Sequence, residues 1–191
     1  MLQLQTLTSP TDTDSATMIP HSERLEYQPI AEADWPFFLA LNQDPQVVRY
    51  VADERSEDAI RHAFDVRLPR WEPGSPHWLC LVMREKFSGR AVGVTGLIDR
   101  SDGVAEVGFL LASAFHNKGL GSESLRALCR AAFTEAGYRK LTATVTAGNV
   151  SSKAVLEKTG FVQEGTLRES YFLAGRWQDD WLFGLLKREL A

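Results

Sequence analysis

The segment His116-Asn117-Lys118-Gly119-Leu120-Gly121-Ser122 carries the strongest local signal for chemistry in the sequence. It lies between a strand pattern and the start of an apolar-striped helix. Two glycines let the backbone curl closely there, and the first N–H groups of the helix have no intrahelical acceptor. With the positive end of the helix dipole and Lys118 alongside, the segment can bind an anion such as a phosphate. A plain strand-to-helix turn accounts for the glycine pair equally well. The spacing is not that of a Walker loop, nor that of the dinucleotide fingerprint, whose third glycine is absent. His21, His62, His77 and His116 show no metal-ligand spacing, so no metal site is expected. Cys129 falls on the helix stripe as a core residue, and Cys80 lies in a strand with no neighbouring histidine to make it a nucleophile. Asp179-Asp180, beside Trp177 and Trp181, is either a lure for a cationic ligand or a solvated strand-end pair.

The elements that must position these residues are readable from period and punctuation. Arg24 to Ile30 alternates and is stopped by proline, which predicts a short strand. Glu32 to Val51 reads as helix broken at Asp44-Pro45, and Ser56 caps a second helix that ends before Pro69. Strands are predicted over His77–Arg84, Ala91–Asp99 and Val104–Ala112, the last two joined by a turn at Asp102-Gly103. Leu125, Leu128, Cys129, Ala132, Phe133 and Ala136 make one apolar helical stripe, ended by Gly137. Leu141 to Thr146 alternates without fault as a strand with one buried face. A short helix over Ser151–Lys158 closes on Gly160, and the strands Phe161–Leu173 and Trp177–Lys187 meet at Ala174-Gly175-Arg176. The order βααβββαβαββ predicts an α/β (α+β) fold. Its sheet is mixed, mostly antiparallel and six- to seven-stranded, with helices on both faces.

The chain has 191 residues, of which 44% are hydrophobic and 24% charged, the balance of one globular domain. A formal charge of −4 argues against a nucleic-acid binder and is compatible with a cationic partner. Two cysteines are too few for a disulfide scaffold. No apolar run is long enough to span a membrane, and Met1 to Ser22 lacks the pattern of a secretory signal. Residues 1–22 read as a flexible leader and 23–191 as the domain, in a reducing cytoplasm.

About thirty residues after the glycine pair come Asn149-Val150-Ser151-Ser152 and then Glu157-Lys158-Thr159-Gly160-Phe161. With these, the chain resembles the GNAT superfamily of acetyl-CoA-dependent N-acetyltransferases from about Glu23 to its end. In that family a (Gln/Arg)-x-x-Gly-x-(Gly/Ala) turn binds the pyrophosphate of coenzyme A. Gly119 and Gly121 match it, while His116 stands in the place of Gln or Arg. Glu23-Arg24-Leu25, the stretch Asn42 to Tyr50, and Glu164-Gly165-Thr166-Leu167-Arg168 resemble more closely the Rim-type branch, which acetylates ribosomal-protein N-termini. The resemblance implies acetyl-CoA as co-substrate, bound by Leu110, Leu111, His116, Asn117, Lys118, Gly119, Leu120, Gly121, Ser122, Asn149 and Ser152, with no metal.

Attack on a thioester needs a neutral amine. An α-amine of pKa ~7.8 is about 14% neutral at pH 7, whereas a lysine of pKa ~10.4 is only about 0.04% neutral. A base is therefore useful, and Glu106 is the first candidate, sharing a strand face with Gly108 and Leu110. A strand-end glutamate in solvent is the alternative reading, and Glu169 is a second possible base. The resemblance implies oxyanion donors in the N–H groups of Leu110 or Leu111. It also implies a splayed strand beside which pantetheine lies. Ser152 and Tyr171 are candidates to protonate the leaving thiolate. Ser152 could instead cap the short helix, and Tyr171 could be pocket wall.

The acceptor implied is a protein N-terminal α-amine. The alternatives are a small amine (polyamine, aminoglycoside or amino acid), a non-catalytic acyl-CoA-binding sensor, and a nucleotide-binding α/β protein. The first two helices and the loop Trp71 to His77 are expected to shape the acceptor pocket. No nucleic-acid or membrane partner is expected, and the chain is compatible with a monomer or a homodimer.

Overall fold

The computed structural model describes residues 18–190. Seven strands form one sheet in the order β1-β2-β3-β4-β5-β7-β6. They are β1 (Leu25–Pro29), β2 (Leu79–Glu85), β3 (Ala91–Asp99), β4 (Val104–Leu111), β5 (Lys140–Thr146), β6 (Val162–Leu173) and β7 (Arg176–Leu186). The helices are α1 (Trp35–Gln43), α2 (Pro45–Val48), α3 (Glu57–Asp65), α4 (Leu120–Thr134) and α5 (Val150–Lys158). The predicted fold class and strand order are found, and the helix expected to break at Asp44-Pro45 forms two separate helices, α1 and α2.

Local chemistry sets the helix boundaries. Asp44 ends α1 in an extended conformation before Pro45, and its carboxylate then accepts the Gln46 N–H (2.9 Å) to start α2. Ser56 Oγ accepts from the Ala59 N–H (3.2 Å) at the head of α3. Gly137 takes φ +74° after α4, a conformation that side-chain-bearing residues rarely adopt.

The sheet separates two cores. On one face the stripe of α4 buries Leu125, Leu128, Cys129, Ala132 and Phe133 against Ala105, Val107, Leu141, Ala143 and Val145. On the other, Phe38 and Leu41 of α1 and Ile60 and Phe64 of α3 pack on Cys80, Val82 and Val94. Fully burying side chains of this size contributes about 1.5–3 kcal/mol each, so the two layers fix the sheet between them. The packed chain starts earlier than the boundary expected at residue 23. Met18 is buried in the α4-side core, and Ser22 accepts from the Tyr27 hydroxyl (3.0 Å) and donates to Leu25 O (3.4 Å). The rest of the expected leader, residues 1–17, lies outside the described residues.

All neighbouring strands are antiparallel except β4 and β5, which the crossover through α4 makes parallel. Their pairing is brief, running Val104↔Lys140, Ala105↔Leu141 and Glu106↔Thr142, and then it stops. Beyond that rung β4 continues to Leu111 on β3 alone, and β5 continues to Thr146 on β7 alone. The sheet therefore splits in its middle, just past Glu106.

Candidate active site

The split leaves main-chain groups of β4 facing a gap. The Arg100 N–H donates to Val104 O (2.8 Å) and the Ala112 N–H to Val92 O (2.9 Å), so even-numbered residues of β4 turn their main chain toward β3. Odd-numbered residues turn it the other way, and Ala105 O accepts from Thr142 Oγ1 of β5 (3.4 Å). The register with β3 is regular throughout, so Val107, Phe109 and Leu111 face the gap. Of the two oxyanion donors expected from the sequence, Leu111 lies on this open edge. The Leu110 N–H is directed at β3 instead, because the strand period of two places it on the paired side.

A cavity of about 420 Å³ occupies the gap and opens onto the α1–α3 face. Residues from both faces of β4 and β5 line it, including Glu106, Gly108 and Leu110 together with Val107, Phe109, Ala143 and Val145. Lining from both faces accords with the parting of β4 and β5 beyond the Glu106↔Thr142 rung. Glu106, Leu110, Asn149, Ser152 and Tyr171, all expected from the sequence, meet around this one space. Gly108 leaves room on its floor, and the Trp78 ring lies over it, 3.3 Å from where a Cβ would stand.

Glu106 stands at the last paired rung. Its Oε2 accepts from both Nε (2.9 Å) and Nη2 (2.7 Å) of Arg100, and the side chain keeps 23% of its surface exposed. That clamp orients the carboxylate and leaves Oε1 as the oxygen not held by Arg100. Ser152 is not the helix cap that the sequence also allowed. Asn149 fills that place, its Oδ1 accepting the Ser152 N–H (3.1 Å), because α5 begins at Val150 and so puts Ser152 inside its first turn. The Ser152 hydroxyl has no hydrogen-bond partner among the described residues. The Tyr171 hydroxyl, by contrast, donates to Val51 O (2.8 Å) and ties β6 to the segment before α3. Glu169 is exposed on a β6 irregularity at φ +49°, its N–H bound by Asp179 (2.8 Å), and it does not line the cavity.

The acidic pair at Asp179-Asp180 is divided by the strand period. Asp179 holds the Glu169 main chain, whereas Asp180 is 7% exposed and lines the cavity. Arg55, Arg67, Asn42 and Trp78 also line it, and the sequence reading assigned no role to the two arginines. Arg67 was detectable in principle: a cation just past an amphipathic helix with no acid three or four residues away lacks the usual helical ion partner. Arg61 has such a partner in Asp65 (2.7 Å). The loop Trp71 to His77 does not line the cavity; Trp78, just after it, does.

Past Leu111 the chain makes the glycine turn. Asn117 (φ +59°) and Gly119 (φ +76°) are both left-handed, and Gly119 leads directly into α4. Gly119 O accepts the Glu123 N–H (3.1 Å), which leaves the N–H groups of Leu120, Gly121 and Ser122 without an acceptor in the helix. His116 donates from Nε2 to Leu111 O (2.9 Å) and so fastens the turn to the end of β4. Arg24, just before β1, braces it. Its Nη1 donates to Lys118 O (3.0 Å), while its Nε (2.6 Å) and main-chain N–H (2.7 Å) both reach the Glu123 carboxylate. Burial works to raise the Glu123 pKa, but the bonds from Arg24 outweigh it and hold the carboxyl below its ordinary value. Lys118 Nζ sits 5.0 Å from the Phe115 ring centroid beside the turn.

This combination is a fit for a long thioester carrying a phosphate-rich end: a strand edge open to pairing, a passage through the sheet, and a braced helix start with free N–H groups. Comparison with known proteins agrees. Residues 24–162 match the acetyltransferase (GNAT) domain. The chain belongs to the GNAT acetyltransferase family. Among curated relatives, it is 28% identical over 179 residues to "Uncharacterized N-acetyltransferase p20" of Bacillus licheniformis, spanning 90% of this chain and 97% of that one. It is 32% identical over 105 residues to "Putative ribosomal N-acetyltransferase YdaF" of Bacillus subtilis (strain 168), covering 54% of this chain and 57% of that protein. In fold it is similar to the spermidine N-acetyltransferase of Vibrio cholerae crystallised with CoA and spermine. That match has a TM-score of 0.75 at 22% identity and covers 87% of this chain and 97% of that one. As a GNAT member the protein is an acyltransferase.

Proposed function

We propose that the protein transfers the acetyl group of acetyl-CoA to a primary amine by direct attack, and that the amine is a protein N-terminal α-amine. The observation that carries the reading is the gap beyond the Glu106↔Thr142 rung, with a candidate base at its corner and the braced glycine turn after its open edge. The N–H groups of Leu120, Gly121 and Ser122, with Lys118 beside them, hold the pyrophosphate. The edge of β4 at Val107, Phe109 and Leu111 pairs with the pantetheine amides. Acetyl-CoA supplies the activated acyl group.

Glu106, held by Arg100, removes a proton from the incoming ammonium through Oε1, directly or through one water. N–H groups on the gap edge stabilise the negative charge that develops on the carbonyl oxygen. The Ser152 hydroxyl, unengaged and lining the cavity, donates to the departing thiolate and regains its proton from the nitrogen of the tetrahedral intermediate, which loses one as the amide forms, while Tyr171 braces the acceptor wall through Val51. Asp180 adds a buried negative charge that attracts the amine. Likeness to YdaF supports the protein α-amine, and the fold shared with a spermidine acetyltransferase supports a small amine as the second reading. Acceptor-dependent release of CoA thiol tests the function. Binding of acetyl-CoA with no release on a broad amine panel would overturn it in favour of a sensor.

A further inference from the structure

The charged groups that line the cavity are segregated. Arg55 and Arg67 lie at the α1–α3 end, whereas Glu106 lies on β4 at the gap and Asp180 on β7, the strand next to β5. Arg67 donates to the Ala63 carbonyl at the end of α3, and Arg55 donates to Asn42 Oδ1. Asn42 is itself buried and fixed by donating to Phe38 O (2.8 Å). Neither guanidinium has a carboxylate partner among the described residues. Most other arginines near this site do have one: Arg24 with Glu123, Arg61 with Asp65 and Glu32, Arg84 with Asp34, Arg100 with Glu106. Burial draws the Arg67 pKa below its ordinary value, and the charge on Arg55 adds to that effect, so the pair is held together at some cost.

Two half-buried cations facing a ligand cavity without a counter-charge are suited to an anion brought by the ligand. We propose that the acceptor carries a carboxylate besides its amine, and that Arg55 and Arg67 bind it while the amine lies at Glu106. This rests on the acetyl-transfer reading and specifies its acceptor. The spacing follows from the sheet. Arg67 acts on Cys80 of β2, and Cys80 registers with Gly96 of β3, which registers with Gly108 of β4, one residue pair from Glu106. Two strand spacings amount to about 10 Å. A hydrogen bond of about 3 Å at each end shortens the span, leaving one or two residue lengths of extended chain at roughly 3.3–3.6 Å each. A carboxylate at that distance from an α-amine is an acidic side chain in the first residues of a peptide. A free amino acid with an acidic side chain is the small-molecule source of the same chemistry. A polyamine, cationic along its length, would place charge against both arginines.

The test measures KM with acetyl-CoA saturating for five acceptors: an N-terminal peptide Ser-Glu-Glu, its neutral isostere Ser-Gln-Gln, the cationic peptide Ser-Lys-Lys, free glutamate, and spermidine as a cationic small-molecule reference. The acidic peptide should show a KM about ten- to a hundredfold below that of the neutral one, the range of a charge-assisted contact. Arg67→Gln and Arg55→Gln should each shrink that acidic-to-neutral ratio toward one, and Arg67→Lys should restore part of it. A merely structural role would change all acceptors together. If Arg67→Gln fails to fold, the Arg55→Gln ratio decides. Equal or better use of Ser-Gln-Gln, Ser-Lys-Lys or spermidine overturns the inference while leaving acetyl transfer intact. Free glutamate matching Ser-Glu-Glu supports the arginine site with a small acceptor. Failure of every acceptor to release thiol removes the acetyl-transfer reading itself and this inference with it.

Discussion

Gly119 and Gly121 belong to one turn, yet the geometry assigns them opposite responses to alanine. Gly119 sits at φ +76°, and a Cβ there would meet nothing closer than Arg24 Nη2 at 3.5 Å. Its penalty is therefore backbone strain rather than collision, about 1–2 kcal/mol for a residue forced into the left-handed region. For a chain of this length, each kcal/mol moves Tm by roughly 2–4 °C, so Gly119→Ala should melt about 2–8 °C lower. Relaxing that strain swings the N–H groups of α4 off a bound phosphate. Loss of one charged-group hydrogen bond, about 1.5–3 kcal/mol, weakens CoA binding some ten- to 150-fold. Gly121 lies inside α4 with ordinary backbone angles. A Cβ would find Val155 at 3.5 Å and Leu111 at 3.7 Å, which is normal packing contact. Gly121→Ala should keep CoA affinity within about twofold and gain up to about 0.5–1 kcal/mol from helix propensity. A valine there has no such room and should weaken CoA binding. Thermal melts and CoA titration calorimetry on the three variants read both quantities. An unchanged Gly119→Ala, or a Gly121→Ala as damaged as Gly119→Ala, would refute the reasoning.

Other perturbations separate the remaining roles. Glu106→Gln should lower turnover by about a hundredfold or more with CoA affinity held, and more severely for lysine-like than for α-amine acceptors, since fewer lysines are neutral near pH 7. Equal activity of the variant across the pH range would remove Glu106 as the base. The Glu123 carboxyl is held below its ordinary 4.5 in the folded protein, so its stabilising share is complete above that pH and lost as the pH falls through the lowered value. Glu123→Gln should thus cost stability at pH 7 and little at the acid extreme. Urea midpoints measured along the pH scale check this, and a loss that grows in acid would contradict it.

Much of the site was legible because it depends on local pattern. The alternation from Leu141 to Thr146 and the stripe from Leu125 to Ala136 each specify one buried face, and those faces fix β5, α4 and the turn between strand and helix. Glu106 follows from strand parity. Residues whose meaning is set by tertiary placement were less readable. Arg55 and Arg67 come from a loop and a helix end that converge only when α1 and α3 pack on β2. The different fates of Asp179 and Asp180 depend on which face of the sheet each side chain takes. Ser152 and Asn149 compete for the cap, and a three-residue difference in helix start decides between them. The inward packing of Met18 gives no sequence signal, since a single apolar residue in a polar stretch has no period.

Transfer within a ternary complex is the central claim, and the protein's intact mass tests it most directly. The protein is incubated with acetyl-CoA, first without and then with a primary amine, while thiol release is followed. Cys80 lines the cavity but is buried, and burial pushes its thiol up to about 12, so it is not a ready nucleophile. The expected result is an unmodified protein and no thiol release until the amine is added, followed by equal amounts of CoA and N-acetylated amine. Thiol release before the amine, accompanied by an acetyl group on the protein, would contradict the account.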